Sequence, residues 1–325
     1  MTVKDKTLQL LEENRGTFLS GEEIAEKTGC TRGAVWKAVK SLQEEKYPIT
    51  AVTNKGYCLD ESTDILSEPG VRKYLSGRAK DLDISVYKSL ESTNITLREF
   101  ADKGADEGKV VISGMQTKGR GRLGRSFFSP SDTGIYLSIL LRPDIPADKA
   151  VKMTTAAAVA VSMAIEKVSD LKPSIKWVND VYLRGKKICG ILTEAAFSSM
   201  EVGGLEYAVV GIGVNVYQPE GGFSEELKNI AGEVFTEKMP DMRNRLAAEI
   251  LNYYIDFYYN LESNTFFEDY HKRLMWINEK INVISAKKST PATLLGIDTD
   301  CRLHVKYEDG REDFVSSGEI SIRKA

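Results

Sequence analysis

Apolar residues recur at helical spacing in two long windows, 148 to 169 and 241 to 262, and crowd into short unbroken runs elsewhere, such as Val110-Val111-Ile112-Ser113 and Tyr136-Leu137-Ser138-Ile139-Leu140-Leu141. The first pattern predicts amphipathic helices and the second predicts buried strands. Their mixture from 64 to 274 predicts a large α+β or α/β domain. Ahead of it, residues 1–63 read as short helices that end in the polar stretch Asp60-Glu61-Ser62-Thr63-Asp64, a linker. Behind it, residues 275–325 change to short strands separated by turn signals, as in His304-Val305-Lys306-Tyr307 before Glu308-Asp309-Gly310. That pattern predicts a small β-barrel. The expected fold class is therefore α+β multidomain, with domains at 1–63, 64–274 and 275–325. Trp177 and the stripe Tyr253, Tyr254, Phe257 and Tyr258 are read as core, the stripe because it follows helical spacing.

Within the first segment, Ser20 can cap a helix, Gly29 can supply a sharp turn, and Thr31 can cap a second helix running through Val35 and Val39. This is helix-turn-helix spacing. Ala25 is small where the helices would touch, and no acid occurs between Thr31 and Gln43, so Arg32, Lys37 and Lys40 present a basic face suited to a phosphate-lined groove. The stretch Tyr47 to Tyr57, with Asn54-Lys55-Gly56 at its tip, reads as the hairpin of a wing. The alternative is a small helical interaction module with a solvated basic face. Residues 1–60 hold nine basic and nine acidic side chains, so the DNA reading rests on distribution and not on total charge.

Composition narrows the chemistry. The 325 residues carry 44 basic and 47 acidic side chains, which offers no bulk attraction for nucleic acid and makes any DNA contact local. Cys30, Cys58, Cys189 and Cys301 lie far apart with no CxxC, which argues against a disulfide scaffold or zinc ribbon and fits reduced thiols. His271 and His304 are the two histidines, too few for a His-rich metal site or a histidine triad. The most apolar stretch, Ala150 to Val168, is interrupted by Lys152 and Glu166 and rich in alanine, so it predicts a buried helix and no membrane partner. The N-terminus lacks the basic and apolar regions of a signal peptide, and a cytoplasmic location is expected.

Gly119-Arg120-Gly121-Arg122-Leu123-Gly124-Arg125 is the most informative stretch. Its glycines let backbone N–H groups turn inward, and its arginines supply planar forks for carboxylate or phosphate. It is neither a GxGxxG nor a Walker loop. An exposed Gly/Arg segment is the alternative to an anion-binding loop.

That loop, with Glu91-Ser92-Thr93-Asn94 and Gln116 upstream and Lys176-Trp177-Val178-Asn179-Asp180 and Lys186-Lys187-Ile188-Cys189-Gly190-Ile191-Leu192 downstream, resembles biotin protein ligase. The N-terminal helix-turn-helix makes the chain similar to the bifunctional bacterial BirA type, both ligase and repressor of biotin synthesis. Gly296-Ile297-Asp298 and Ser317-Gly318-Glu319-Ile320-Ser321-Ile322-Arg323 resemble that family's SH3-like cap. The resemblance implies a winged helix-turn-helix, a mixed α/β catalytic domain and an SH3-like β-barrel. It implies ATP and Mg2+ as cofactors and biotin as substrate. Biotinyl-5'-AMP would be both intermediate and corepressor.

The reaction so implied joins two anions, the biotin carboxylate and the α-phosphate of ATP, and then passes biotin to a lysine of biotin carboxyl carrier protein or another biotin-acceptor domain. It needs cations and no protein nucleophile. The resemblance assigns Ser92, Thr93, Asn94, Gln116, Arg120, Gly121, Arg122 and Lys187 to biotin. It assigns Arg122, Arg125, Phe127, Asn179, Gly211, Gly213, Asn215 and Arg323 to the nucleotide. Lys187, Arg122 and Asp180 carry catalysis, with Asp180 either holding Mg2+ or capping a turn. Phe127 stands where the family usually has tryptophan, and Val178 where it usually has proline. Gly211 and Gly213 lie where strand glycines also mark bulges or close packing. Thr31, Arg32, Lys37 and Lys40 would contact operator DNA. A homodimer formed when adenylate is bound would read an inverted repeat.

Overall fold

In the computed structural model the described residues are 1–197, 204–285, 288–316 and 321–324. Contacts divide the chain into two units, Met1–Leu75 with Glu237–Ala248, and Ser76–Thr236 with Glu249–Ala325. No helix among the described residues is long and apolar enough to cross a membrane.

The first unit opens with α1 (Val3–Glu13), α2 (Gly21–Thr28) and α3 (Arg32–Glu44), then the strands β1 (Ile49–Val52) and β2 (Gly56–Leu59) and the short helix α4 (Glu68–Arg72). Side-chain caps set the helix starts: Ser20 accepts from the Glu23 amide at 3.0 Å and Thr31 from that of Ala34 at 3.2 Å. Gly29, at φ +67°, ends α2 in the left-handed conformation. Leu8, Leu11, Ile24, Val35, Val39 and Leu42 form the shared core. The wing is an antiparallel hairpin from Ile49 opposite Leu59 to Val52 opposite Gly56, and Tyr57 exchanges backbone hydrogen bonds with Leu19.

This unit takes in more than the head expected over 1–63. Buried Glu12 accepts Arg15 at 2.6 Å, Arg15 reaches Asp241 at 2.7 Å, and Lys73 also pairs with Asp241. Arg243 donates to Asp64 at 3.0 Å and Asn244 to the Ile65 carbonyl at 2.8 Å. Charges this deep are tolerated only in pairs. The pairs explain why residues 64–75 and 237–248 pack with the helices.

The second unit contains β3 (Asp83–Tyr87), α5 (Thr93–Asp102), β4 (Lys109–Ser113), β5 (Gly134–Leu141), α6 (Val151–Val168), β6 (Ser174–Lys176), β7 (Asp180–Leu183), β8 (Lys186–Phe197) and β9 (Leu205–Asn215). α7 (Met242–Tyr259) begins in the first unit and ends in the second, followed by α8 (Phe267–Arg273). The large sheet has the order β3-β4-β5-β9-β8-β7-β6, with β3 and β4 parallel and the remaining pairs antiparallel. β5 is buried along its whole length, as its unbroken apolar run predicts. α5 packs on β4, β5 and β9, and α6 lies along β6 to β9. Both predicted long helices are present; Tyr254, Phe257 and Tyr258 are core, whereas Tyr253, read as core with them, is only half-buried and stacks on Phe257.

The last five strands, β10 (Lys280–Ser285), β11 (Lys288–Ile297), β12 (Leu303–Tyr307), β13 (Glu312–Val315) and β14 (Ser321–Lys324), form an antiparallel sheet ordered β13-β12-β11-β10-β14. Among the described residues the ladder does not close, so the expected barrel is an open one. The Ser317 to Ile320 stretch of the predicted cap lies outside the described residues. Buried Trp177 donates from Nε1 to the Cys301 carbonyl at 3.0 Å and so joins the two sheets, which bears out its reading as core. All four cysteines are free thiols.

Gly56 sits at φ +104°, and a Cβ there would stand 2.0 Å from the Leu19 carbonyl oxygen. Gly56→Ala is expected to destabilise the first unit by about 2 kcal/mol or more. An unchanged midpoint in thermal or urea unfolding of the full chain would contradict this.

Candidate functional site

One cleft gathers most of the residues singled out in the sequence. Its floor is the middle of the large sheet: Leu137 of β5, Gly190, Ile191 and Leu192 of β8, and Gly211, Ile212 and Gly213 of β9. Two glycines there serve close packing, and no register shift occurs beside them. A Cβ on Gly211 would lie 2.1 Å from Asn94 Oδ1, and one on Gly213 would lie 2.6 Å from the Phe127 ring. The missing side chains let an amide and an aromatic ring press onto the sheet.

The start of α5 forms one wall. Ser92 is its N-cap residue, and Ser92, Thr93 and Asn94 are all buried. The Thr93 amide and hydroxyl both donate to Gln116 Oε1, at 2.9 and 3.1 Å. Gln116 Nε2 donates to the Ser129 hydroxyl at 3.0 Å, which donates in turn to the Phe127 carbonyl at 3.0 Å. On the other side the Ser138 hydroxyl lies 2.7 Å from that of Thr93 and 2.6 Å from Asn94 Oδ1. Asn94 Nδ2 donates to Glu194 at 2.8 Å. The wall is thus a continuous polar relay set in an apolar sheet, able to rearrange around the polar end of a ligand.

The Gly/Arg loop forms an adjoining wall. It folds back as a tight hairpin: Gly121 N–H donates to the Arg125 carbonyl at 2.7 Å and Phe127 N–H to that of Gly119 at 2.9 Å. A Cβ on Gly119 would meet the Phe127 oxygen at 2.3 Å. At the tip Leu123 takes φ +57° and is exposed. Arg120, Arg122 and Arg125 all line the cleft. Arg122 donates to Asn179 Oδ1 at 3.2 Å, and burial pulls its guanidinium below the usual arginine range.

At the far end Lys187 stands on β8 with its backbone strapped to Ile230 and Gly232, at 2.8 and 2.9 Å. Its Nζ is 2.6 Å from Asp180 Oδ1, an ion contact out of line for a hydrogen bond. Asn179 donates to the Ile191 carbonyl at 2.8 Å. Lys176 also lines the cleft. Burial pulls its ammonium below the usual lysine range, with Lys187, Arg323 and Arg125 adding like charge against the attraction of Asp180. Five cations, Arg120, Arg122, Arg125, Lys176 and Lys187, therefore line the cleft with one carboxylate, Asp180. The cleft is built for anions. Cys189 is no nucleophile here, because burial holds its thiol far up.

Of the predicted residues, Asn215 lies outside the cleft, its amide donating to the Gly232 carbonyl at 3.1 Å. Arg323 is exposed on β14 and is felt at Lys176 by its charge. In the head, Arg32, Lys37 and Lys40 are exposed along α3, whereas the Thr31 hydroxyl is engaged as the helix cap. Sequence reasoning missed Lys176 as a site residue, although it opens the Lys-Trp-Val-Asn-Asp motif. It also missed Ser129, Ser138 and Glu194, which carry no motif, and Trp36, 52% exposed on α3 with the Lys40 ammonium 5.0 Å from its ring centroid.

Comparison with known proteins agrees with this geometry. Residues 4–58 match an HTH domain family, 86–215 the Biotin/lipoate A/B protein ligase family, and 277–323 the Biotin protein ligase C terminal domain. The chain is 38% identical over 230 residues to the Bifunctional ligase/repressor BirA of Bacillus subtilis, covering 71% of this chain and 70% of that protein. It is 28% identical over 328 residues to the protein of that name from Escherichia coli, covering 100% and 98%. Its fold is similar to the biotin protein ligase from Aquifex aeolicus in complex with biotin and ATP, with TM-score 0.62, 28% identity, and 75% of this chain and 99% of that one covered.

Because the Lys176 ammonium is held below its usual range, affinity for a phosphate-bearing ligand should fall with rising pH before the ordinary lysine value of about 10.4 is reached. Lys176→Arg keeps its charge and is expected to move that decline upward. Titration calorimetry at stepped pH that returned superimposable profiles for the two proteins would remove Lys176 from binding.

Proposed function

We propose the following mechanism from the premise that the chain belongs to the bifunctional ligase/repressor family of biotin protein ligases. The protein is an ATP-dependent biotin protein ligase with a DNA-binding repressor head. The observation that carries the residue-level reading is one cleft lined by five cations, a single carboxylate, Asp180, and a hydrogen-bonding wall.

The wall suits biotin. A cyclic urea offers one carbonyl and two N–H groups, and Ser92, Thr93, Asn94 and Gln116 supply hydroxyls and amides that can turn to meet them. Leaving such groups buried without partners would cost about 1 to 3 kcal/mol each, which is the source of specificity. The apolar floor of Leu137, Ile191 and Ile212 takes the ring and chain. The carboxylate then points toward Lys187, Arg122 and Lys176.

At that end the chemistry is electrostatic. The carboxylate attacks the α-phosphorus of ATP, the bond to pyrophosphate breaks, and negative charge gathers on the phosphoryl oxygens. Arg122 and Lys187 neutralise that charge where it grows, and Lys187 can follow it by leaving its out-of-line contact with Asp180. Arg125 and Arg323 attract the nucleotide, and Phe127, seated over Gly190 and Gly213, covers it. The residues present fit a magnesium ion carried in on ATP. Asp180 has an oxygen without an aligned hydrogen bond, and no group of three or more His, Cys, Asp or Glu able to cage a metal occurs among the described residues. Asp180 and Asn179 would hold the ion, which shields phosphate charge when bound. In the second half-reaction the amine of the acceptor lysine attacks the mixed anhydride and AMP leaves. Biotin carboxyl carrier protein is the acceptor proposed, with other biotin-acceptor domains.

In the head, Arg32, Lys37 and Lys40 lie against phosphate and the wing flanks them. Biotinyl-5'-AMP orders the Gly/Arg loop and favours a homodimer, whose two heads read an inverted repeat. An effector acts this way only through different affinity for the two states.

The ligase reading is tested by weighing an acceptor domain after incubation with the protein, ATP, magnesium and either biotin or lipoate; addition of biotin alone is expected, and an unmodified acceptor would reject the reading. Lys187→Ala should lower adenylate formation about a hundredfold or more while leaving folding intact. Pyrophosphate release at the unmutated rate would take Lys187 out of the mechanism. Gel shifts with a biotin-operon operator should tighten when biotin and ATP are both supplied, and binding indifferent to them would reject the coupling.

A further inference from the structure

We propose that Glu194 is a positioning residue for the Gly/Arg loop, holding Arg120 over the cleft and tying the loop to the wall that recognises the ligand's polar end. This rests on the ligase reading and deepens it.

Glu194 does not line the cleft. It stands on β8 two residues beyond Leu192, which does, and its side chain is 19% exposed. Three groups face its carboxylate: Arg120 of the loop at 3.1 Å, Arg98 of α5 at 3.5 Å, and Asn94 Nδ2 of α5 at 2.8 Å. A lone exposed ion pair would contribute little. Here one half-buried carboxylate receives two guanidinium groups and an amide, from two separate segments, and the amide is pressed against Gly211. Asn94 cannot retreat from Glu194 without striking the sheet or giving up Ser138.

The loop is consequently held at both ends by one chain of polar contacts, an ion pair at Arg120 and hydrogen bonds beyond it. One end runs from Arg120 through Glu194 and Asn94 to Ser138. The other runs from the Phe127 carbonyl through Ser129 and Gln116 to Thr93. The two halves meet at the Ser138 and Thr93 hydroxyls, 2.7 Å apart, where Ser138 can donate either to Thr93 or to Asn94. A cyclic urea that takes the Thr93 hydroxyl leaves Ser138 donating to Asn94. That fixes the Asn94 amide with its N–H toward Glu194 and keeps the carboxylate turned to Arg120. Ligand recognition at the wall and closure of the arginine loop then become one event.

The test uses the full-length chain. Glu194→Gln keeps the shape and removes the charge. Biotinyl-5'-AMP is expected to leave this variant about fivefold faster than the unmutated protein, and the KM for biotin should rise. The rate constant for transfer from preloaded adenylate to the acceptor should stay the same, a split that a general loss of folding would not give. Trypsin cleavage after Arg120, Arg122 and Arg125, suppressed by biotin in the unmutated protein, should persist in the variant. Arg120→Gln should speed adenylate release at least as much, the double variant should be no worse than Arg120→Gln alone, and Glu194→Asp should restore part of the protection. Adenylate release from Glu194→Gln at the unmutated rate, or additive effects in the double variant, would overturn the proposal. If the unmutated protein forms no adenylate, the ligase reading falls and this inference with it.

Discussion

Mutual repulsion among positive side chains is the constraint that the rest of the cleft answers. Five cations in one cleft attract two anionic substrates, but without substrate they also push each other apart. The fold holds three of them with partners of its own. Asp180 sits against Lys187, the Asn179 carbonyl takes Arg122, and Glu194 takes Arg120. None of these anchors is a saturated, fully buried ion pair. Each can be released when phosphate or carboxylate arrives, so the site is preorganised without being neutralised.

A second constraint is room. A β-sheet with a strand buried along its whole length has no space for polar groups beside it unless side chains are deleted. Gly211 and Gly213 make that space on β9, and Gly119 makes it in the loop. In the two gaps on the sheet sit Asn94 and Phe127. One is the hinge of the polar relay, and the other is an apolar lid beside Tyr136, edge to face at 6.4 Å between centroids. Sterics thus decide where hydrogen bonding is possible, and hydrogen bonding decides which ligand end can be recognised.

Much of this was legible in the sequence because the signals are local. The caps Ser20 and Thr31, the turn at Gly29 and the wing tip around Gly56 each depend on neighbouring residues, and each appears where the pattern places it. The Gly/Arg loop was readable from its residue types, and Lys187 and the Asn179-Asp180 pair through the family resemblance; all of them line one cleft. What stayed hidden is long-range. Ser138 looks like one polar residue in a buried strand, and Glu194 like a solvated charge at the end of β8. Their partners lie 44 and 100 residues away, and no periodicity records that pairing. The reach of the first unit beyond residue 63 was hidden for the same reason, since Arg15 and Asp241 meet only after folding.

The loop's own energetics make ligand control physically reasonable. Its closure rests on a few backbone hydrogen bonds, each contributing about 1 kcal/mol net, and on the half-buried Glu194 contact. Against these stand the exposed Leu123 in a left-handed conformation and the repulsion between neighbouring guanidinium groups. The balance amounts to a few kcal/mol at most. On the proposed mechanism, an adenylate that took charge-assisted hydrogen bonds from Arg120 and Arg122, at about 1.5 to 3 kcal/mol each, would exceed it. A ligand therefore needs no large distortion of the sheet to set the loop: it need only satisfy the cations that the protein has left without saturated partners.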